Sequence, residues 1–214
     1  MNIENIKNEL KKIKHTSFGI SIPELRKLAK KIAKKDYEEL FHNNDFSSFE
    51  LKLLHAFTIG YVNSNIETLL KYFEEFMPYV NDWATNDSLC QNFKIARKEQ
   101  EIVWNFVMKY KASTKEFESR IVAVILLSHY LNDNYIDKVI KVLNELNTND
   151  YYSQMGVAWA IATIMGKYPE KCLNYLKSSD CKLDNTTYNK SLQKIRESLR
   201  VSDEIKQLTR TLTK

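Results

Sequence analysis

A chain of 214 residues, 43% of them hydrophobic, can bury a sizeable core, so a folded rather than a disordered protein is expected. Its 4 glycines and 3 prolines are too few for the turns of a sheet protein, so helices joined by short polar loops are expected. The net charge of +5 is uneven, because residues 1–35 and 186–214 are basic and the stretch between them is acidic. Two basic ends favour either a polyanion bound at particular faces or two solvated lysine-rich helices.

The chain shows no pattern typical of membrane or secreted proteins. Its longest apolar run, residues 121–127, falls short of the roughly 18 residues that span a bilayer. The N-terminal residues alternate in charge and contain no apolar signal segment. Cys90, Cys172 and Cys181 form no C-x-x-C pair. We therefore expect a cytoplasmic protein with neither a disulfide framework nor a structural zinc site.

Several helix starts are marked in the sequence. Three capping boxes, each beginning with Ser and ending with Glu, lie at residues 21–24, 47–50 and 113–116. Apolar residues at helical spacing follow each box. Pro169 stands where the first residue of a further helix is expected.

These signals predict thirteen helices joined by short connections. In chain order the helices cover residues 2–14, 21–35, 36–43, 47–62, 65–77, 80–91, 97–110, 114–131, 134–147, 150–167, 169–178, 187–199 and 202–212. Residues 121–127 also fit a buried strand, but the capping box ahead of them favours a helix. Short connections make consecutive helices antiparallel neighbours. No linker rich in Pro, Gly or Ser divides the chain, so residues 1–214 are expected to form a single domain.

Four residues recur at a near-constant spacing along this series of helices. Trp83, Arg120, Trp159 and Arg196 are separated by 37, 39 and 37 positions. With a pair of helices in each unit, that period is close to the repeat length of HEAT and armadillo proteins. In such a stack, the second helix of each pair lines the concave side. The spacing favours one residue per repeat in a common groove, with coincidence as the alternative because the units share little sequence.

The residues at this spacing form a candidate site. Trp83 and Asp87 are four apart, so a helix places both on one face. Together with Arg120 and Trp159 they would give two indoles, a carboxylate and a guanidinium. This set is unusual for a core, because burying an unpaired charge is costly. It suits a cationic, phosphate-linked ligand, since arginine binds phosphate, indole faces attract cations and a carboxylate stabilises developing positive charge.

Each of these residues also has an ordinary interpretation. Trp83 and Trp159, taken singly, fit a hydrophobic core. Asp87 alone fits a helix-surface acid or a cap, and Arg120 alone fits a surface ion pair with Glu116, one turn before it. The functional interpretation therefore depends on the combination.

Other catalytic devices are absent from the sequence. There is no glycine-rich phosphate loop, no H-E-x-x-H and no nucleophile elbow. The four histidines, which lack metal-ligand spacing, are interpreted as surface or helix-packing residues: His15, His42, His55 and His129. Trp104, among apolar neighbours, is an ordinary core candidate. Neither a metal ion nor another cofactor is expected.

Five segments resemble a known family. They read FGISIPELRKLAKKIAK, NDWATNDS, FESRIVAVILLSHY, MGVAWAIATIMGKYPE and YNKSLQKIRESLRVS. In this order they look like the AlkD-like DNA alkylation repair proteins, the HEAT-like-repeat DNA glycosylases, from about residue 17 to about residue 205. The resemblance implies an all-α, right-handed curved α-solenoid of antiparallel HEAT-like helix pairs, with duplex DNA in a basic concave groove.

The resemblance also implies an activity. Active members of the family excise N3- or N7-alkylated purines with an aspartate and two tryptophans, and an arginine lies close by. Trp83, Asp87, Arg120 and Trp159 occupy those positions in the matching motifs. Asp87 would stabilise the cationic sugar and position water, while the tryptophans would pack against the sugar and backbone of the lesion. Contacts chiefly to the backbone are implied, without a tight base pocket.

The expected function is thus a monomeric alkylpurine DNA glycosylase acting on alkylated or otherwise damaged duplex DNA. Six basic residues are candidate phosphate contacts: Lys27, Lys30, Lys31, Lys190, Lys194 and Arg196. Residues 1–17 are all that precede the first motif, so a short N-terminal variant without part of the helical arm that helps hold the lesion strand is expected. The alternatives are a non-catalytic binder of damaged or branched DNA and a protein-binding helical-repeat scaffold.

Overall fold

The computed structural model describes residues 2–13, 15–16, 19–43, 46 and 48–213. Within these residues lie thirteen α-helices: α1 Ile3–Lys12, α2 Ile22–Ile32, α3 Tyr37–His42, α4 Phe49–Tyr61, α5 Ile66–Phe76, α6 Trp83–Asn92, α7 Gln100–Met108, α8 Glu116–His129, α9 Ile136–Glu145, α10 Tyr151–Lys167, α11 Pro169–Lys177, α12 Asn185–Glu197 and α13 Asp203–Thr209. Short 3₁₀ helices follow α5 and α6, at Met77–Tyr79 and Lys94–Arg97. Two-residue strands, β1 (His15–Thr16) and β2 (Gly19–Ile20), pair antiparallel.

The predicted helices are confirmed, with ends that differ by up to three residues. Residues 121–127 belong to α8, so the helical interpretation was correct. The sequence did not predict the strand pair, and α12 begins two residues earlier than expected, at Asn185. The predicted ends at Lys14 and Ser47, and the first motif residue Phe18, lie outside the described residues. None of the described helices is long and apolar enough to cross a membrane.

The capping predictions fared unevenly. Ser21 is the N-cap of α2, although its side chain makes no capping hydrogen bond. Ser48, rather than Ser47, caps α4, and its Oγ accepts a hydrogen bond from the backbone N–H of Leu51. The third box was wrong, because Ser113 does not cap α8. Its Oγ instead accepts from the N–H of Lys115, and that turn delays the helix by two residues.

The chain divides into two compact units, Met1–Glu99 and Gln100–Lys214, called here the first and second units. The centre of the first unit is α4, which packs against α2 on one side and α6 on the other. Most of its side chains from Leu51 to Ile59 are buried, as expected of a helix that is apolar all round. Gly60 allows α4 to approach α6 closely, because a Cβ there would lie 2.5 Å from the carbonyl oxygen of Asn92.

A polar network also joins α2, α4 and α6 in the first unit. The guanidinium of Arg26, on α2, lies 4.0 Å above the ring of Phe57, on α4. Its Nη1 donates to the hydroxyl of Tyr61 at 3.1 Å and to Oδ1 of Asn92 at 3.4 Å. Asn92 in turn donates from Nδ2 to the carbonyl of Phe57 at 2.9 Å. The network fixes the C-terminal end of α6 against α4.

The centre of the second unit is α10, which packs against α8 and α12. Its first turn is bonded to α8 through both the N–H and the carbonyl of one residue, Tyr152. The carboxylate of Glu116 accepts from the N–H of Tyr152 at 2.6 Å, and Nη1 of Arg120 donates to the carbonyl of Tyr152 at 2.8 Å. Gly156 lies against this contact, since a Cβ there would be 3.2 Å from Cγ of Arg120.

Helix starts recur at regular intervals. The N-caps of α6, α8, α10 and α12 are Asp82, Lys115, Asp150 and Asp184, separated by 33, 35 and 34 residues. Within the second unit, several hydrogen bonds join residues 36 positions apart, including Lys167 Nζ to the carbonyl of Leu131. The helix starts therefore recur every 33–35 residues, slightly less than the 37–39 expected.

Candidate functional site

The start of α6 is fixed by a cap and by a lysine from α4. Asp82 accepts hydrogen bonds from both the N–H and the hydroxyl of Thr85, each at 2.8 Å. The ammonium of Lys52 lies 3.1 Å from the Asp82 carboxylate and 2.6 Å from Oδ1 of Asn81. These contacts hold the first turn of α6, and with it Trp83, in a defined position.

Trp83 occupies the first position of α6 and is 55% exposed. Asp87 follows at the fifth position, so it lies on nearly the same face and about 6 Å further along the helix axis. Asp87 is only 7% exposed. The ordinary interpretations of both residues were wrong, since Trp83 is not a core residue and Asp87 is neither a surface acid nor the cap. The result is an exposed indole beside a buried carboxylate.

Arg120 and Trp159 belong to the second unit. Arg120 is 5% exposed, so the surface interpretation was wrong, and its guanidinium is held by the carbonyl of Tyr152. Trp159, in the middle of α10, is partly buried, and its carbonyl accepts a hydrogen bond from the hydroxyl of Thr163. Trp83 and Asp87 thus belong to the first unit, and Arg120 and Trp159 to the second. That all four residues form one cluster stays a prediction.

The positions of these residues explain the spacing found in the sequence. Trp83, Arg120, Trp159 and Arg196 stand at positions 1, 5, 9 and 12 of their helices. Each therefore lies about one helical turn further from the start of its helix than the one before. The spacing of these four residues thus exceeds the spacing of the helix starts by roughly 4 residues. By helix position the counterpart of Trp83 in α10 is Tyr151, which is 61% exposed and which the sequence analysis missed.

The predicted phosphate contacts on α2 are accessible but differ in their partners. Lys27, Lys30 and Lys31 are all exposed. The ammonium of Lys30 lies 5.2 Å from the ring centroid of Tyr61, and Lys31 lies 3.7 Å from the carboxylate of Glu9. Lys27 and Lys30 are therefore better placed than Lys31 to meet an external anion.

On α12, two of the three predicted contacts line a cleft of about 680 Å³ that α12 shares with the C-terminal segment. Lys190 donates to the amide oxygen of Gln193 at 3.1 Å, and Arg196 has no hydrogen bond or ion pair with any described residue. Arg210, which the sequence analysis missed, lines the same cleft and likewise has no described side-chain partner. Lys194 is partly buried and lies outside the lining. Three cations thus face one open cleft.

The remaining predictions concern packing. Trp104 is partly buried and packs against Tyr130 and Tyr135, with ring centroids 5.4 and 5.1 Å away. His42 is an exposed surface residue, while His55 and His129 are buried within the helices, which agrees with the interpretation as surface or packed residues; the side chain of His15 lies outside the described residues. The three cysteines are buried thiols.

Sequence reasoning missed the residues that position the site, chiefly Lys52, Asp82 and Glu116. One signal was present, because Asp82 to Thr85 and Asp184 to Thr187 both read Asp-x-x-Thr, a strong N-cap pattern. In both, the hydroxyl of the threonine donates back to the capping carboxylate. Burial alone would raise the pKa of Asp184, but hydrogen bonds from Thr187 and Thr148 lower it.

Comparison of the sequence with known protein families identifies one family. The sequence model of a family described as DNA alkylation repair enzyme matches residues 3–195, about nine-tenths of the chain. This chain belongs to the DNA alkylation repair enzyme family. No curated protein matches it. Membership implies a role in DNA repair and an interaction with DNA. The matched residues end before α13 and Arg210.

Proposed function

We propose that this protein is a DNA glycosylase that hydrolyses the N-glycosidic bond of N3- or N7-alkylated purines in duplex DNA. The observation that carries the proposal is the pair on α6, an exposed Trp83 with a buried Asp87 one turn away on the same face. Membership of a DNA alkylation repair family supports the choice of substrate.

The chemistry needs little more than a placed carboxylate and water. Alkylation leaves a positive charge on the purine, so the bond from its nitrogen to C1′ breaks with both electrons passing to the base. The deoxyribose becomes an oxocarbenium ion, water adds to C1′, and a proton is released. A buried carboxylate such as Asp87 stabilises this cation more strongly than an exposed one, because less water screens its charge. The exposed Trp83 ring offers a flat surface to the sugar and backbone.

Arg120 and Trp159 are assigned supporting roles in this proposal. Arg120 would bind a phosphate close to the lesion, and its contact with the Tyr152 carbonyl supports this by fixing the guanidinium in place. Trp159 would provide the second indole surface, supported by the part of its side chain that stays accessible. Neither residue would take part in bond breaking.

The DNA backbone would be held by the cations of α2 and α12. Lys27, Lys30 and Lys31 would meet it at the first unit, and Lys190, Lys194 and Arg196 at the second. The regular helix starts support HEAT-like repeats, and we propose on the same basis that the repeats stack as a right-handed curved solenoid. DNA binding of this kind weakens steeply as salt rises.

The test is to incubate methylated genomic DNA with the protein and to identify the released bases by mass spectrometry. Release of 7-methylguanine or 3-methyladenine above the rate for heat-inactivated protein is the expected result. Salt-sensitive duplex binding without any base release would contradict the enzymatic proposal and identify a non-catalytic binder. A protein that neither releases bases nor binds duplex DNA at physiological salt would contradict both, leaving a scaffold.

A further inference from the structure

A cavity of about 360 Å³ in the first unit lies apart from the proposed catalytic residues. We call it the aromatic pocket. Aromatic rings form most of its described lining, which His42 and Glu75 complete: Phe41, Phe46, His55, Tyr72, Phe76 and Tyr79. The volume falls within the roughly 300–1,000 Å³ that small-molecule sites occupy. Mostly aromatic walls favour a flat ligand over a branched aliphatic one.

The rings of the pocket are stacked around His55. The imidazole lies parallel to the ring of Phe76, with centroids 4.4 Å apart and planes 10° apart. Phe41 and Phe46 approach it at 4.6 and 5.2 Å. At the outer edge, Tyr79 is 38% exposed and lies 4.2 Å from the ring of Phe46. The pocket therefore has a wall of packed rings around His55 and an accessible rim at Tyr79.

Among the described lining residues, His55 is the buried polar side chain, whereas His42 and Glu75 are exposed. His55 is 4% exposed, and its buried Nδ1 has no hydrogen-bond partner among the described residues. Burial lowers the pKa of His55 to about 3, so the ring is neutral at physiological pH and offers one donor and one acceptor. Leaving a buried nitrogen unpaired costs stability, and a histidine kept only for packing would not offset that cost.

We propose that the aromatic pocket binds a planar nitrogen heterocycle of the nucleobase class, stacked on the aromatic rings and hydrogen-bonded to His55. The edge of a nucleobase carries donors and acceptors together, as the neutral imidazole does. Stacking on aromatic side chains is a general way of holding an unpaired base. Tyr79 precedes Trp83 by four residues, so their Cα atoms lie within about 14 Å of each other. The pocket is therefore close to the first unit's share of the proposed DNA site.

The proposed nucleobase could be a free base or a base within a single strand. This inference goes beyond the proposed function, which assigns no role to the aromatic pocket. Both sources stack and hydrogen-bond alike, but only the second brings phosphates with it. Binding of adenine, and of a short single-stranded oligonucleotide against its abasic counterpart, distinguishes them.

The test measures both ligands by titration calorimetry with the wild type and three variants. In His55→Phe the stacking surface stays and the hydrogen bonds are lost, and we expect at least a tenfold loss of affinity with no loss of thermal stability. Tyr79→Ala, at the accessible rim, should weaken binding severalfold without endangering the fold. Phe49→Ala is the matched control, because Phe49 is 44% exposed in the same unit and does not line the pocket.

Adenine binding that depends on His55 and Tyr79 supports a free base, and preference for the intact over the abasic oligonucleotide with the same dependence supports a base in a strand. The proposal is overturned if neither ligand binds at millimolar concentration, or if binding is unchanged in His55→Phe and Tyr79→Ala. Base release from methylated DNA, measured in the same variants, should stay at the wild-type level. Failure here thus leaves the proposed function untouched.

Discussion

The two units share a plan but differ in their central helix. In each, an apolar helix stands between two others, α4 between α2 and α6, and α10 between α8 and α12. The seventh residue of the central helix is His55 in α4 and Val157 in α10, and both are buried. Val157 only adds apolar contact, whereas His55 carries a buried nitrogen that has no hydrogen-bond partner among the described residues, and its side chain lines a cavity. At this position the buried side chain stabilises the second unit, whereas in the first unit its unpaired nitrogen lowers the stability.

The glycines of the two central helices should respond very differently to the same change. Gly60→Ala would place a Cβ against the backbone and amide of Asn92, which cannot move without displacing α6. We expect a loss of about 3 kcal/mol, the upper end for overpacking. In Gly156→Ala the new Cβ would lie 3.2 Å from Cγ of Arg120, a tight contact that a shift of a few tenths of an ångström relieves. The gain in helix propensity, up to about 1 kcal/mol, should nearly offset that contact.

Urea denaturation of both glycine variants at pH 7.5 measures this difference. Equal losses in the two would show that the close approach at Asn92 is no more restrictive than the one at Arg120. That result would contradict the packing account of α4 and α6.

His55 should make the stability of the protein depend on pH. Its pKa is about 3 when folded and 6.5 in the reference state, so between these values the unfolded chain takes up a proton that the folded one does not. Stability is therefore full above pH 6.5 and falls as the pH is lowered toward 3. From pH 7.5 to pH 5 this amounts to about 2 kcal/mol.

His55→Phe removes this dependence, so its stability should fall by about 2 kcal/mol less than that of the wild type over the same pH range. The measurement is urea denaturation of both proteins at the two pH values. Parallel losses would mean that His55 is not buried as a neutral ring.

The smallest expected difference in stability is between aspartates that cap a helix with their side chain and one that does not. Asp82 and Asp184 both accept capping hydrogen bonds, so Asp82→Ala and Asp184→Ala should each cost about 1 kcal/mol. Asp150, the N-cap of α10, makes no side-chain capping bond, because Glu116 serves the first turn instead. Asp150→Ala should change the melting temperature least, and a loss as large as that of Asp82→Ala would refute this assignment.

Local patterns predicted the helices well because capping residues and apolar periodicity act within a few residues. The delayed start of α8 could not be read in the same way, since Ser113 can cap a helix or close a turn and the tertiary context decides. Trp83 and Asp87 were singled out correctly as neighbours on one face, because their spacing alone fixes that relation. The aromatic pocket and the cleft at Arg210 were not predicted from the sequence, because their residues come from segments that meet only through packing.

The most direct test of the proposed chemistry compares Asp87→Asn with Asp180→Asn, a matched change at an exposed aspartate outside the site. Release of 7-methylguanine is measured under single-turnover conditions, alongside affinity for the same duplex. We predict that Asp87→Asn lowers release at least a hundredfold, in line with the loss of one electrostatic stabiliser, which costs about 10²–10³ in rate. Duplex affinity should change less than threefold, and Asp180→Asn should behave as wild type. Undiminished release by Asp87→Asn would contradict the role of this carboxylate and, with it, the account of α6 as the catalytic helix.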